Sequence, residues 1–194
     1  MKNAIAIAAI AGLATAAVAD LTVNIDFGAT SINVGETTTA TMTASFTGTG
    51  TPYMSVANFS VVGDDALATA SGVVLGDWNM AALGAATGTA SGAGISGIKI
   101  SQQALFGAVD TTSNGLLIAS WTVTADAEGL LTYSGVDGAP FSFGINDADN
   151  SFGTPTQYGV DVISSARLSI TAVPAPSAMA LLGLGGLVAG RRRR

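Results

Sequence analysis

Hydrophobic and polar positions alternate along most of the chain's centre with a period of two. Leu21, Val23, Ile25 and Phe27 are interleaved with Thr22, Asn24 and Asp26, which predicts a strand with one face against a core. After a connection over 28–35, Thr38, Ala40, Met42, Ala44 and Phe46 face one way, and Thr37, Thr39, Thr41, Thr43 and Ser45 the other. Threonine on an outer strand face supplies β propensity and solubility without charge. Gly48 to Pro52 breaks this run, and Tyr53 to Val62 is the next expected strand. Asp65 is placed to cap a short helix over Ala66 to Ala70, with a strand following at Val73 to Trp78. Residues 79–94, rich in Ala and Gly, read as a long loop with one helical turn at Met80 to Leu83. Ile98 and Ile100 then restart the alternation around Lys99, continuing toward Phe106.

Asn114-Gly115 is a turn signal. Beyond it Leu117, Ala119, Trp121, Val123 and Ala125 form one face, with Ser120, Thr122 and Thr124 on the other. Glu128-Gly129 leads into Leu130 to Tyr133, so these two runs are expected to pair as a hairpin. Phe141, Phe143 and Ile145 alternate again. In the last run, Tyr158 to Thr171, Val160 and Val162 and then Ala166, Leu168 and Ile170 are expected inside. The change of phase near Ser164-Ser165 marks a bulge or a break. Short strands separated by Gly-rich turns, with no helical pattern competing, predict an all-β fold: a single antiparallel β-sandwich of about eight or nine strands over 20–172. The stretch Ser31-Ile32-Asn33-Val34-Gly35-Glu36-Thr37, with the Thr-apolar alternation after it, resembles the opening of bacterial extracellular immunoglobulin-like and cohesin-like sandwiches. That resemblance implies the fold class and no particular partner.

The two ends depart from the pattern. Lys2, the apolar stretch Ala4 to Ala16 and the small-x-small triplet Ala17-Val18-Ala19 read as a secretory leader over 1–19, cut by signal peptidase after Ala19. The other end, 173–194, holds Val173-Pro174-Ala175-Pro176-Ser177-Ala178, an apolar run to Gly190, and then Arg191, Arg192, Arg193 and Arg194. As a helix, Ala178 to Gly190 would be about 20 Å long, short against a hydrocarbon core of about 30 Å. The arginines can snorkel to the cytoplasmic headgroups, which places the chain's centre outside. Gly183, Gly185 and Gly186 weaken the helix, as suits a transient stop.

The tail as a whole resembles the PEP-CTERM sorting signal of bacterial exopolysaccharide-associated proteins: a Pro-Glu-Pro-type motif, an apolar helix and an arginine cluster. Pro174 and Pro176 match the proline positions, Ser177 and Leu181-Leu182-Gly183-Leu184 the run that follows, and Arg191 to Arg194 the end. Ala175 stands where the namesake pattern has glutamate. The resemblance implies recognition by an exosortase-like transpeptidase around Pro174, Ala175, Pro176 and Ser177. It further implies transient membrane anchoring, removal of the tail, and release or attachment at the cell surface. An ordinary C-terminal anchor is the alternative.

Composition narrows the function classes. There is no cysteine and no histidine, which excludes disulfides, thiolate zinc sites and imidazole-dependent triads. From Asp20 to Ser177 the bases are Lys99 and Arg167 against thirteen acids. Such a surface repels phosphate backbones and excludes nucleic acid as a partner. The polar run Asn146-Asp147-Ala148-Asp149-Asn150-Ser151 offers Asp147, Asp149 and Ser151 as alternating oxygen ligands for calcium. Gly153 and Tyr158 fall at the wrong positions for an EF-hand, and a solvated turn is the favoured alternative. No other cofactor is expected. Glu36 and Glu128 carry no special signal for paired-carboxylate hydrolysis. Trp78, Tyr53, Tyr133 and Tyr158 could instead form a sugar-stacking platform for extracellular polysaccharide, whereas their burial would favour a structural role. The expected function is that of an exported, non-enzymatic protein of the cell surface or extracellular matrix, with a carbohydrate- or protein-binding module as the alternative.

Overall fold

A computed structural model describes residues 19–164 and 166–173. Residues 1–18, read from the sequence as a leader, and the tail from Pro174 to Arg194 lie outside the described residues, and with them the two flanking helices expected from the sequence. Thirteen strands follow in chain order: β1 (Leu21–Phe27), β2 (Ser31–Asn33), β3 (Thr37–Phe46), β4 (Pro52–Val62), β5 (Ala68–Leu75), β6 (Thr87–Ser91), β7 (Gly94–Ser101), β8 (Asn114–Ala125), β9 (Gly129–Thr132), β10 (Ser134–Asp137), β11 (Phe143–Asp147), β12 (Thr156–Tyr158) and β13 (Arg167–Thr171). Single 3-10 turns sit at Ala81–Leu83, Ala104–Phe106 and Val160–Val162. Among the described residues no helix is long and apolar enough to cross a membrane.

The strands form a four-stranded sheet in the order β1-β3-β8-β5 and a six-stranded sheet in the order β12-β11-β4-β7-β6, with β10 also paired to β4. A smaller sheet, β2-β13-β9, completes the fold. All pairs are antiparallel except β2 with β13. The alternation explains the burial: Val23 and Ile25, Ala40, Met42 and Ala44, and Trp121 and Val123 turn inward from one sheet, and Ala57, Phe59, Val61, Ile98, Ile100 and Phe143 from the other. They share one apolar cluster, the arrangement of a sandwich.

Four expectations need correction. Ala66 to Ala70 is not a helix: Asp64 Oδ1 accepts the Ala66 N–H at 2.9 Å in a turn, and β5 begins at Ala68. Asp65, the expected cap, instead accepts the Ala93 N–H at 2.9 Å. The run Leu130 to Tyr133 does not pair with β8; its strand β9 crosses to β13. In β8 a register shift opposite Met42/Thr43 turns Leu116 and Ile118 inward and leaves Leu117 half-buried. The loop over 79–94 contains β6, which pairs with β7 across the turn at Gly92.

Candidate functional site

The acidic stretch forms the loop after β11, and its hydrogen bonds explain its spacing. Asp147 Oδ1 accepts the N–H groups of Thr51 at 3.0 Å and Asp149 at 2.9 Å. Asp149 Oδ2 accepts the Thr51 hydroxyl at 3.0 Å. Asn146 accepts the Asp147 N–H at 2.9 Å and donates to the Gly153 carbonyl at 3.2 Å. These are the local side chain-to-backbone bonds that Asn and Asp make in turns. They staple the 146–153 loop to the turn between β3 and β4. Ser151, the third ligand proposed from the sequence, is half-buried in the same loop. Among the described residues no group of three or more carboxylates gathers as a metal site.

The aromatic platform does not form. Trp78, Tyr53 and Tyr133 are buried, and Tyr158 is half-buried. Each has a polar anchor. Trp78 Nε1 donates to the Leu117 carbonyl at 2.8 Å, and the Tyr53 hydroxyl accepts the Ala104 N–H at 3.2 Å. Tyr133 packs edge-on against Trp121 with ring centroids 5.5 Å apart. Its hydroxyl accepts from Trp121 Nε1 at 3.3 Å and donates to the Ala93 carbonyl at 2.7 Å. Burial pushes its pKa up to about 12, with the Trp121 bond opposing the rise. The Tyr158 hydroxyl donates to the Ala19 carbonyl. Burial and the nearby Asp20 charge raise its pKa. On the far side of that peptide bond the Asp20 N–H donates to Thr47 Oγ1 at 3.2 Å, and the Asp20 carbonyl accepts the Thr47 N–H at 2.9 Å. Ala19 is itself part of the apolar cluster.

Two carboxylates are held in their ionised form. Glu36 accepts the Asn33 N–H at 2.9 Å and the Asn33 amide at 3.1 Å, and these bonds hold its pKa below the usual range. Asp137 accepts the Ser142 hydroxyl at 2.7 Å and the Val160 N–H at 2.9 Å, with the same effect. A general acid needs the opposite shift.

The outward faces differ in character. On the four-stranded sheet, Thr39, Thr41, Thr122 and Ser120 form cross-strand rows of hydroxyls. On the six-stranded sheet, Val62 and Val136 are 44% and 49% exposed. They are diagonal neighbours, since Val62 lies opposite Ser134 and Val136 opposite Ser60. Exposed Lys99 lies opposite Asn58 on the same sheet.

Residues 172–194 match the family model described as the PEP-CTERM protein-sorting motif. The chain carries a PEP-CTERM sorting motif. The motif covers the expected processing residues Pro174 to Ser177 and the arginines Arg191 to Arg194, all of which lie outside the described residues. Ala17, in the expected leader site, lies outside them too. No curated protein matches the chain. Among solved structures, the fold ahead of the PEP-CTERM motif is similar to cohesin modules. The seventh ScaB type I cohesin of Pseudobacteroides cellulosolvens aligns at TM-score 0.55 and 16% identity, over 80% of this chain and 96% of that one. The sixth cohesin of scaffoldin B from Acetivibrio cellulolyticus, solved in complex with a dockerin, aligns at TM-score 0.55 and 12% identity, over 77% and 98%. A cohesin module of a Clostridium perfringens family 33 glycoside hydrolase aligns at TM-score 0.53 and 10% identity, over 79% and 98%. At these identities the likeness establishes the sandwich fold.

Sequence reasoning missed the Val62–Val136 pair, because the single residue between β9 and β10, Tyr133, gives no turn signal and β10 (Ser-Gly-Val-Asp) has no apolar alternation.

Proposed function

We propose that this is an exported, non-enzymatic β-sandwich protein, displayed at the cell surface or in the extracellular matrix, where it binds a protein partner. The observation that carries the reading is the sorting motif directly after a cohesin-like sandwich, with β13 ending at Thr171 and the motif beginning at residue 172. In this reading a signal peptidase removes 1–19, the sandwich spans 20–172, and an exosortase-like enzyme acts near Pro174 to Ser177. A protein partner is favoured over a polysaccharide stacked on Trp78 and the tyrosines, because most of those rings are buried while Val62 and Val136 are exposed side by side on an open sheet. An exposed apolar pair rimmed by Ser60, Asn58 and Lys99 has the make-up of a small protein contact.

Mass spectrometry of the mature protein from its native host tests the destination. The expected product begins at Asp20 and lacks the arginine cluster; an intact C-terminus at Arg194 would leave only a membrane anchor. Fractionation of the same cells tests the contact face. Val62→Asp with Val136→Asp is expected to release into the medium a protein that the wild type retains, with the melting temperature unchanged.

A further inference from the structure

The Asn114-Gly115 pair, a turn signal in the sequence, opens β8 at the end of the sheet where Ser45 lies opposite Asn114. We propose that this pair is a self-modifying site. Gly115 closes on Asn114 to form a succinimide, the side-chain amide leaves as ammonia, and the Ser45 hydroxyl relays the proton. The site shares no residue with the protein contact proposed above and stands without it.

The register slips here: Ala44 lies opposite Leu116, Ser45 opposite Asn114, and Gly115 opposite no residue of β3. Such a bulge suits a glycine with positive φ, and Gly115 has φ +73°. Its N–H donates to Ser45 Oγ at 3.2 Å. The same hydroxyl donates to Asn114 Oδ1 at 3.0 Å. One oxygen therefore touches both the nitrogen that must lose a proton and the carbonyl oxygen that must gain one. A serine hydroxyl has a proton to give and lone pairs to accept another, so the path from Gly115 N through Ser45 Oγ to Asn114 Oδ1 and Cγ closes on itself. Nothing crowds the attack. A Cβ placed on Gly115 would meet no atom within 4 Å, and both residues are exposed to water.

The Gly115 nitrogen bonds to Asn114 Cγ as its proton passes to Ser45 Oγ and the Ser45 proton passes to Oδ1, which regenerates the hydroxyl. The proton on Oδ1 then moves to Nδ2, the Cγ–Nδ2 bond breaks, and ammonia leaves the succinimide ring. Water opens that ring at either carbonyl, giving aspartate or isoaspartate. The sequence consumes water alone and needs no second protein. Proton transfer by a positioned side chain contributes about 10²–10⁴ in rate. The product adds a negative charge to an open cleft that Asn114 and Ser45 line together with Asp20, so an old copy of the protein differs in charge from a new one.

The test is peptide mapping by mass spectrometry of the protein from its native host, held at neutral pH and sampled over weeks. Asn114 is expected to convert to aspartate and isoaspartate faster than Asn150, which is also exposed but is followed by serine. Ser45→Ala is expected to slow the conversion at least about tenfold in the folded protein. In urea, where the hydroxyl is no longer placed, the same substitution is expected to leave the rate unchanged. Ser45→Thr keeps the relay and is expected to keep most of the rate, which separates loss of the hydroxyl from loss of the fold. Circular dichroism of each variant shows that the rates compared belong to the folded state. A folded wild type that does not convert at Asn114 would overturn the proposal. So would a Ser45→Ala protein that converts as fast as wild type or faster, since the hydroxyl would then restrain the amide and relay nothing.

Discussion

At the scale of single residues, the aromatic side chains show most clearly what a sequence hides. Residue type cannot tell a sugar-stacking tyrosine from a core tyrosine, because both need one apolar face and one polar partner. The structure decides: Tyr133 bridges Trp121 and the Ala93 carbonyl in the interior. Tyr133→Phe leaves two buried polar groups without a partner and is expected to cost about 1–3 kcal/mol, measurable by chemical denaturation. The same residue sets an alkaline limit. Its folded pKa lies near 12 against an ordinary 10.0, so its contribution is complete below pH 10 and is lost as pH rises toward 12. Tyr133→Phe should lose that part of the alkaline decline, which a comparison of melting temperatures between pH 9 and 12 would show. Glu36 and Asp137 act at the other limit. Their lowered pKa values stabilise the fold above the usual carboxylate range and cease to do so as pH falls through the folded values. Replacing Glu36 with Gln should flatten the acid arm of the same profile.

At the scale of elements, strands with a strong alternation were legible and those without it were not. β1 and β3 coincide with their apolar runs because every second side chain enters the core. β6, with the sequence Thr-Gly-Thr-Ala-Ser, buries almost nothing and exists because β7 offers it an edge. β2 is likewise made by β13, from a segment 138 residues away in sequence at the Asn33–Thr171 pair. Partner choice was equally invisible: β9 follows β8 closely but pairs with β13, a non-local contact that no turn residue announces. The acidic loop was legible in position but ambiguous in purpose. Its carboxylates already accept hydrogen bonds, Asp147 from the Thr51 and Asp149 N–H groups and Asp149 from the Thr51 hydroxyl, so chelation with EDTA is expected to leave the melting temperature unchanged. A fall of several degrees would instead identify a bound cation. Asp147→Ala should destabilise by about 1–2 kcal/mol through the bonds it loses. Gly50→Ala should do at least as much, since its φ is +61° and an added Cβ would lie 2.4 Å from the Asp147 carboxylate.

At the scale of the whole molecule, the two ends of the described chain leave from opposite poles. β1 starts beside Phe46, where Leu21 pairs with it. Thr171 ends beside the Gly35 turn, where its carbonyl accepts the Val34 N–H and Ala125 accepts from Gly35. β3, running between these poles, is ten residues long, or about 33 Å at 3.3 Å per residue. The loop after β11, stapled to the β3–β4 turn, therefore lies at the pole opposite Thr171. The peptide bond between Ala19 and Asp20 adds a matter of timing. Once the sandwich has formed, Tyr158 grips the carbonyl on one side and Thr47 the amide that follows. If signal peptidase cuts this bond, as proposed above, it needs the segment extended and free, so cleavage and folding would compete as rates and the cut would have to come first. Precursor refolded before it meets signal peptidase should be cut at Ala19–Asp20 much more slowly than precursor presented unfolded, and Tyr158→Phe with Thr47→Ala should narrow the difference. Equal rates for the two presentations would show that the folded precursor opens this strand end faster than the enzyme cuts it.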